Sequence, residues 1–152
     1  MDLCGPMRTQ RYGGNMYIFV LVDEFTRYTW TLFIKSKDQA FTVFSDLILM
    51  LENRYQTRVR SRRSDNGVEF VNSQFLEFCS ERGISHEFSS PHTPQQNGVV
   101  ERKNRTLEDM ARTMLIASKL PQRFWAQAVD TTCYIVNRAM LRPMIKKLLM
   151  SY

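Results

Sequence analysis

The sequence predicts an α/β fold, a mixed sheet flanked by helices. Three features predict it: strand-like apolar runs come mostly first, helix-periodic segments come later, and polar segments with Pro, Gly or Asn separate them. "MYIFVLV", Met16 to Val22, is a near-continuous apolar run rich in aromatic and β-branched residues, too short for a helix and suited to a strand covered on both faces. "TRYTWTLFI", Thr26 to Ile34, follows a brief polar break and predicts its hairpin partner. Asp38 then offers an N-cap, and Phe41, Phe44, Leu47, Ile48 and Leu51 recur at helical spacing as far as Tyr55. "RVRSRRS" reaches Asp65 as a short extended segment, after which Asn72 caps a helix carrying Phe75, Leu76, Phe78 and Cys79 that Gly83 stops. "ISHEF" is one more short strand, and "SSPHTPQQNG", Ser89 to Gly98, is a loop by its prolines, glycine and polar residues. Beyond it Leu107, Met110, Ala111, Met114 and Leu115 line one helical face, and Pro121 opens a last helix through Phe124, Trp125, Ala128, Val129 and Ile135.

At 152 residues, 43% hydrophobic and 24% charged, the chain has the material for one globular domain with its own core. Its net charge of +6 favours a polyanionic partner without identifying one. Cys4, Cys79 and Cys133 are odd in number and far apart, which supports neither a disulfide framework nor a zinc site and points to a reduced, intracellular setting. No run approaches the length of a membrane span, and "MDLCGPMRTQ" lacks the apolar core of a signal peptide, so secretion and membrane insertion are not expected.

Three acids stand where strands or polar loops end, the places where α/β folds put reactive groups: Asp2, Asp65 and Glu101. Asp65 begins the Asp-Asn-Gly turn, which taken alone is only a turn signal. Glu101 sits in the first turn of a helix, where the macrodipole alone favours an acid. Around it, "ERKNR" is basic, and Arg105 lies one turn on, on the same face, able to meet a phosphate beside the carboxylate. Asp23, in "VDEFTRY", rivals Asp2 because it follows the clearest strand; it is read as a structural or supporting residue.

"MDLCGPM", "RSDNGVEF" and "SPHTPQQNGVVERKNRTL" strongly resemble the catalytic core of integrases from copia-type LTR retrotransposons, a branch of the retroviral integrase superfamily. That family's signature is Asp, Asp, thirty-five intervening residues and Glu, and thirty-five residues lie between Asp65 and Glu101 here. The likeness runs from Met1 to about Arg138, so residues 1–139 are expected to form the core and 140–152 a divergent amphipathic tail. It implies an RNase H-like fold, a five-stranded mixed sheet with helices on both faces. It also implies that Asp2, Asp65 and Glu101 are catalytic and hold two Mg2+ (or Mn2+) ions, one shared by Asp2 and Asp65, the other by Asp2 and Glu101. Such chemistry needs carboxylates because phosphodiester substitution builds negative charge, and two hard cations about 3.5–4 Å apart stabilise the entering and leaving oxygens. By the same likeness Asn66 shapes the turn presenting Asp65, while His92, Gln96 and Asn97 occupy the loop that approaches the DNA end. Lys103 and Arg105 join them as DNA contacts. A Tyr is usual at the place of His92. Element-end and target DNA are the implied partners, a homodimer or higher oligomer the implied assembly, and the nucleus the implied site of action.

Several signals are set aside. His86-Glu87 resembles the start of a zinc-protease motif, but Ser90 stands where the second His is required. His86 and His92 lack an acid or Cys at ligand spacing. Asn104-Arg105-Thr106 fits a glycosylation acceptor but lies in a predicted helix. "RYQTRVRSRR" is either a phosphate-binding stripe or a solvated edge.

The sequence also departs from the family. Ser61 and Arg62 replace the apolar residues usual in the strand before the second Asp, so Arg62 must find a partner, reach solvent or distort the strand. The strand carrying Asp2 lacks its usual lead-in, and the family's N-terminal zinc-binding domain and C-terminal extension lie outside the sequence, as in an excised or decayed piece of an element. Beside an integrase-type transferase, two rivals therefore stand: an inactive remnant that keeps the fold and some nucleic-acid affinity, and a generic RNase H-like nuclease without strand transfer.

Overall fold

The computed structural model describes residues 1–10, 13–65, 67–88 and 98–139. Among these residues five strands and four α-helices follow in the order β1 (Asp2–Cys4), β2 (Tyr17–Val22), β3 (Thr29–Ile34), α1 (Ala40–Tyr55), β4 (Ser61–Ser64), α2 (Ser73–Arg82), β5 (Ser85–Phe88), α3 (Gly98–Ala117) and α4 (Trp125–Ala139). The expected tail, 140–152, lies outside the described residues.

The apolar run forms β2, the middle strand of an antiparallel sheet in which Asp2 faces Val20 on one side and Thr31 faces Val20 on the other. Both of its faces are buried. Ile18 and Val20 pack against Leu107 and Ala111 of α3 and Trp125, Val129 and Val136 of α4. Phe19, pointing the other way, packs with Phe44 and Ile48 of α1, Phe75 and Cys79 of α2, and Phe70. The period-two alternation of one strand thus feeds two cores, and helices cover both faces as expected.

The expectation of one five-stranded sheet needs correction. β1, β2 and β3 form a three-stranded antiparallel sheet, and β4 and β5 a separate parallel pair. Among the described residues one main-chain hydrogen bond joins them, from Met1 N to the Arg63 carbonyl at 2.7 Å. β1 has three residues, and its pairing with β2 stops at Asp2, so it offers β4 too short an edge for a ladder. A cavity of about 550 Å³ opens at the split, lined by Leu21 and Val22 of β2, Phe44 and Ile48 of α1, and Ser61 and Arg62 of β4.

Local signals mostly match. Asn72 caps α2 by accepting from Phe75 N at 3.1 Å, and Gly83 ends it at φ 66°, a left-handed conformation that costs glycine least. Asp38 lies inside a 3-10 turn, Lys37–Gln39, and the residue before α1 is Gln39, so the N-cap reading of Asp38 does not hold. Leu76 faces outward on α2. On α4 the buried line runs Trp125, Val129, Thr132, Val136; Ile135 sits about 100° off that line and is 40% exposed. Asn137, also buried, clips α4 to the start of β3: its Oδ1 accepts from Thr29 N at 2.8 Å and its Nδ2 donates to the Thr29 carbonyl at 2.7 Å. It serves as a strand partner made of side chain.

Arg62 takes the first of its three options. It is 5% exposed, donates from Nη2 to the Phe70 carbonyl at 3.1 Å and to His86 Nδ1 at 2.9 Å, and lies 4.6 Å over the Phe75 ring. Among the described residues its Nε and Nη1 are buried without hydrogen-bond partners. Burial pushes the guanidinium below its ordinary pKa, with the neighbouring Cys79 opposing that shift. Two orphaned donors at about 1–3 kcal/mol each, together with the cost of burying the charge itself, outweigh the hydrogen bonds to the Phe70 carbonyl and His86 Nδ1 and a cation–π contact of about 2 kcal/mol. Arg62→Leu is therefore expected to stabilise the fold by about 1–2 kcal/mol, read as a melting temperature about 2–8 °C higher. A lower melting temperature would show that the polar contacts dominate. The supposed arginine stripe also breaks up: Arg58 and Arg60 are exposed, Arg62 is buried, and Arg63 pairs with Glu24 at 3.2 Å and Glu87 at 2.6 Å.

Candidate active site

Asp2 opens β1 and Asp65 follows β4 directly, so the adjoining ends of the two sheets carry one carboxylate each. Both side chains are half-buried. Asp2 Oδ1 accepts from Leu3 N at 2.8 Å, and Oδ2 accepts from Asn104 Nδ2 at 2.5 Å and from the Cys4 thiol at 3.9 Å. Burial, then the Asp2 charge, pushes the Cys4 thiol up to about 12, so it stays protonated beside the carboxylate. Asp65 Oδ1 accepts from Gly67 N at 3.1 Å, closing the turn that the Asp-Asn-Gly sequence predicts. A Cβ at Gly67 would lie 3.0 Å from that oxygen and 2.9 Å from the Glu69 carboxylate, so a larger residue would require those side-chain ends to shift.

The carboxylates of Asp2 and Asp65, separated by 63 positions in the chain, present the hard oxygens that a divalent ion prefers. Glu101, in the first turn of α3, is exposed. Among the described residues no three His, Cys, Asp or Glu side chains gather to hold a metal. Asp2 and Asp65 have the donor chemistry for a divalent cation, and among the described residues Glu101 does not gather with them.

Lys103 is half-buried rather than displayed to solvent; burial lowers its pKa, Cys133 of α4 opposes this, and Arg27 adds to it. Arg105 is exposed one turn after Glu101. Asp23 builds the β2–β3 turn, accepting from Thr26 N at 2.7 Å and Thr26 Oγ1 at 2.5 Å, in keeping with a structural role. Asn66, His92, Gln96 and Asn97 lie outside the described residues.

Two groups escaped the sequence reading. Asn104, 6% exposed, ties α3 to Asp2. Its spacing to Leu107 and Ala111 marks the buried helical face, a signal hidden by treating Asn104 only as a glycosylation acceptor. His86, set aside as a failed zinc motif, sits opposite Arg62 in the β4–β5 register. Burial, then Arg62 and the amino terminus, pushes its pKa from 6.5 down to about 4. The folded pKa lies below the unfolded one, so the unfolded chain takes up the proton first. The stabilisation is complete above about pH 6.5 and is lost as pH falls towards 4. After allowance for solvent screening, wild type is expected to lose about 1–2 kcal/mol more than His86→Gln between pH 7 and 4.5, measured by urea unfolding. Equal losses would sink this assignment.

Residues 1–94 match the family model described as integrase core domain. The chain is 44% identical over 138 residues to the retrovirus-related Pol polyprotein from transposon TNT 1-94 of Nicotiana tabacum, covering 91% of the chain and 10% of that protein. It is 42% identical over 122 residues to the corresponding polyprotein of transposon RE2 of Arabidopsis thaliana, covering 80% and 8%. Against the transposon Ty1-DR4 Gag-Pol polyprotein of Saccharomyces cerevisiae it is 30% identical over 148 residues, covering 96% and 9%. The chain therefore spans about a tenth of the length of these relatives. Among solved structures, a simian T-cell lymphotropic virus intasome matches with TM-score 0.70 at 20% identity over 91% of the chain and 47% of the other. The HTLV-2 integrase catalytic core domain in complex with magnesium, in a trimeric form, matches with TM-score 0.66 at 20% identity over 93% and 85%. A dimeric form matches equally well. These structures establish a likeness of fold.

Proposed function

The chain belongs to the integrase core domain family, and from that premise we propose that it is the polynucleotidyl transferase core of a retrotransposon integrase. The observation that carries this reading is the placement of Asp2 at the start of β1 and Asp65 directly after β4, where the Met1 N to Arg63 carbonyl bond joins the two sheets. Asp2 and Asp65 would hold one divalent cation and Asp2 and Glu101 a second. Bound there, such ions would neutralise charge developing on the phosphate oxygens. The chain's own groups do the rest. Asn104 orients one oxygen of Asp2, the Gly67 amide orients one of Asp65, and exposed Arg105 steadies a DNA phosphate beside Glu101. Water attacks a phosphorus near the end of the DNA copy and the strand's 3′-oxygen leaves as a hydroxyl. That hydroxyl then attacks a target-strand phosphorus in line and displaces the target's own 3′-oxygen. No bond to the enzyme forms. This work belongs in the nucleus, and we extend to this chain a homodimer or higher oligomer.

The test is incubation of the purified chain with labelled element-end DNA and Mg2+ or Mn2+. Shortened and joined products are expected; DNA binding without product at any metal concentration would overturn the reading. It would favour the inactive remnant, which the exposed position of Glu101 outside the acid pair supports. Duplex binding itself is expected to weaken with salt, log affinity falling by about 0.9 per phosphate neutralised against log salt concentration. A flat response would remove the electrostatic contact.

A further inference from the structure

We propose that His86 and Ser64 form a positioning relay that sets Asp65, resting on the reading of Asp65 as a metal-holding acid. Among the described residues the β4–β5 ladder runs as far as Ser64 opposite Phe88 and gives the Asp65 carbonyl no partner. Ser64 supplies one: its hydroxyl donates to that carbonyl at 2.9 Å. The single hydroxyl proton is thereby used, and the contact between Ser64 Oγ and His86 Nε2 at 3.0 Å requires the ring nitrogen to be the donor. The opposite nitrogen agrees, because Arg62 carries only donors and its Nη2 lies 2.9 Å from His86 Nδ1. One direction of donation satisfies all three contacts: Arg62 to His86 Nδ1, His86 Nε2 to Ser64, Ser64 to the Asp65 carbonyl.

Strand geometry explains why these residues meet. Arg62 and Ser64 are two apart and share a face of β4, and the parallel register sets His86 opposite Arg62 on that side. Ser64 is fully buried, so its hydroxyl is held away from water. The planar peptide after Asp65 is then pinned by its oxygen, while the carboxylate is pinned separately by Gly67 N. Main chain and side chain of the same acid are held from two directions, the support a residue needs to meet a small ion within a few tenths of an ångström.

Nitrogen NMR of the His86 ring and amide exchange of the intact chain test this without DNA or metal. Wild type is expected to show the Nε2–H tautomer. Ser64→Ala is expected to speed exchange of the Gly67 amide, the partner of the Asp65 carboxylate, about tenfold while leaving the core amide of Phe19 unchanged. Ser64→Thr, which keeps the hydroxyl, should restore it, and His86→Gln, which keeps a donor, should fall between. An Nδ1–H tautomer, an unchanged Gly67 amide in Ser64→Ala, or equal acceleration at Gly67 and Phe19 would overturn the relay. An inactive wild-type chain would instead remove the transferase reading and leave this result standing, because neither measurement involves catalysis.

Discussion

Asp65→Asn is expected to lower the strand-transfer rate by about 10³-fold, about 4 kcal/mol of transition-state stabilisation. The amide keeps the oxygen that accepts from Gly67 N, so the turn survives and the charge alone is lost. Glu101→Gln is expected to cost about as much. Glu101 is exposed at a helix N-terminus, so its neutralisation takes only about 0.3–1 kcal/mol from the fold. Groups acting as one unit are not additive, so the double variant should be no slower than the worse single variant by more than a few-fold. Single-turnover rates on pre-processed DNA ends, beside melting curves, decide it. A loss near 10⁶-fold in the double variant would mean that Asp65 and Glu101 act independently. A Glu101→Gln rate within about threefold of wild type would leave Asp2 and Asp65 as the working pair and exclude Glu101.

Phe75→Ala should have the largest effect on stability. Phe75 is fully buried, with ring centroids of Phe44, Phe41 and Phe70 at 5.1, 5.3 and 6.1 Å. Truncating such a ring costs about 3–5 kcal/mol through lost burial and the cavity left behind. Here it also strips the aromatic face from the Arg62 guanidinium, 4.6 Å above it, leaving a buried charge with two donors unpartnered among the described residues. The expected loss is about 5 kcal/mol, a large share of the 5–15 kcal/mol that holds a typical domain together. In an Arg62→Leu background the cost should fall by about 1 kcal/mol, because the cation is gone. Denaturant midpoints for the four chains of the cycle measure this coupling. A coupling of zero would mean that the guanidinium gains nothing from the ring.

Arg62 also shows where reading one strand at a time fails. Its sequence context says only that a cation lies in a segment that should be apolar. Whether it would pair, escape or distort depends on residues 8 and 24 positions away, the Phe70 carbonyl and the His86 ring, which share no periodic signal with it. His86 shows the same limit. Judged by neighbours in sequence it was a zinc motif that failed, whereas its partners are Arg62 and Ser64 across a parallel pair of strands.

The sequence by itself determined the order and kind of nearly every element, the two-sided burial of Tyr17–Val22, the Asn72 and Gly83 ends of α2, and the family, because these rest on local periodicity, turn chemistry and a long motif. Tertiary structure alone decided that the sheet divides into three and two strands, that Asn104 holds Asp2, and that Asp65 leans on Ser64 and His86. Those outcomes turn on hydrogen bonds between groups distant along the chain. Their directions depend on strand register and on how far a three-residue strand can reach, quantities that exist only once the backbone has folded.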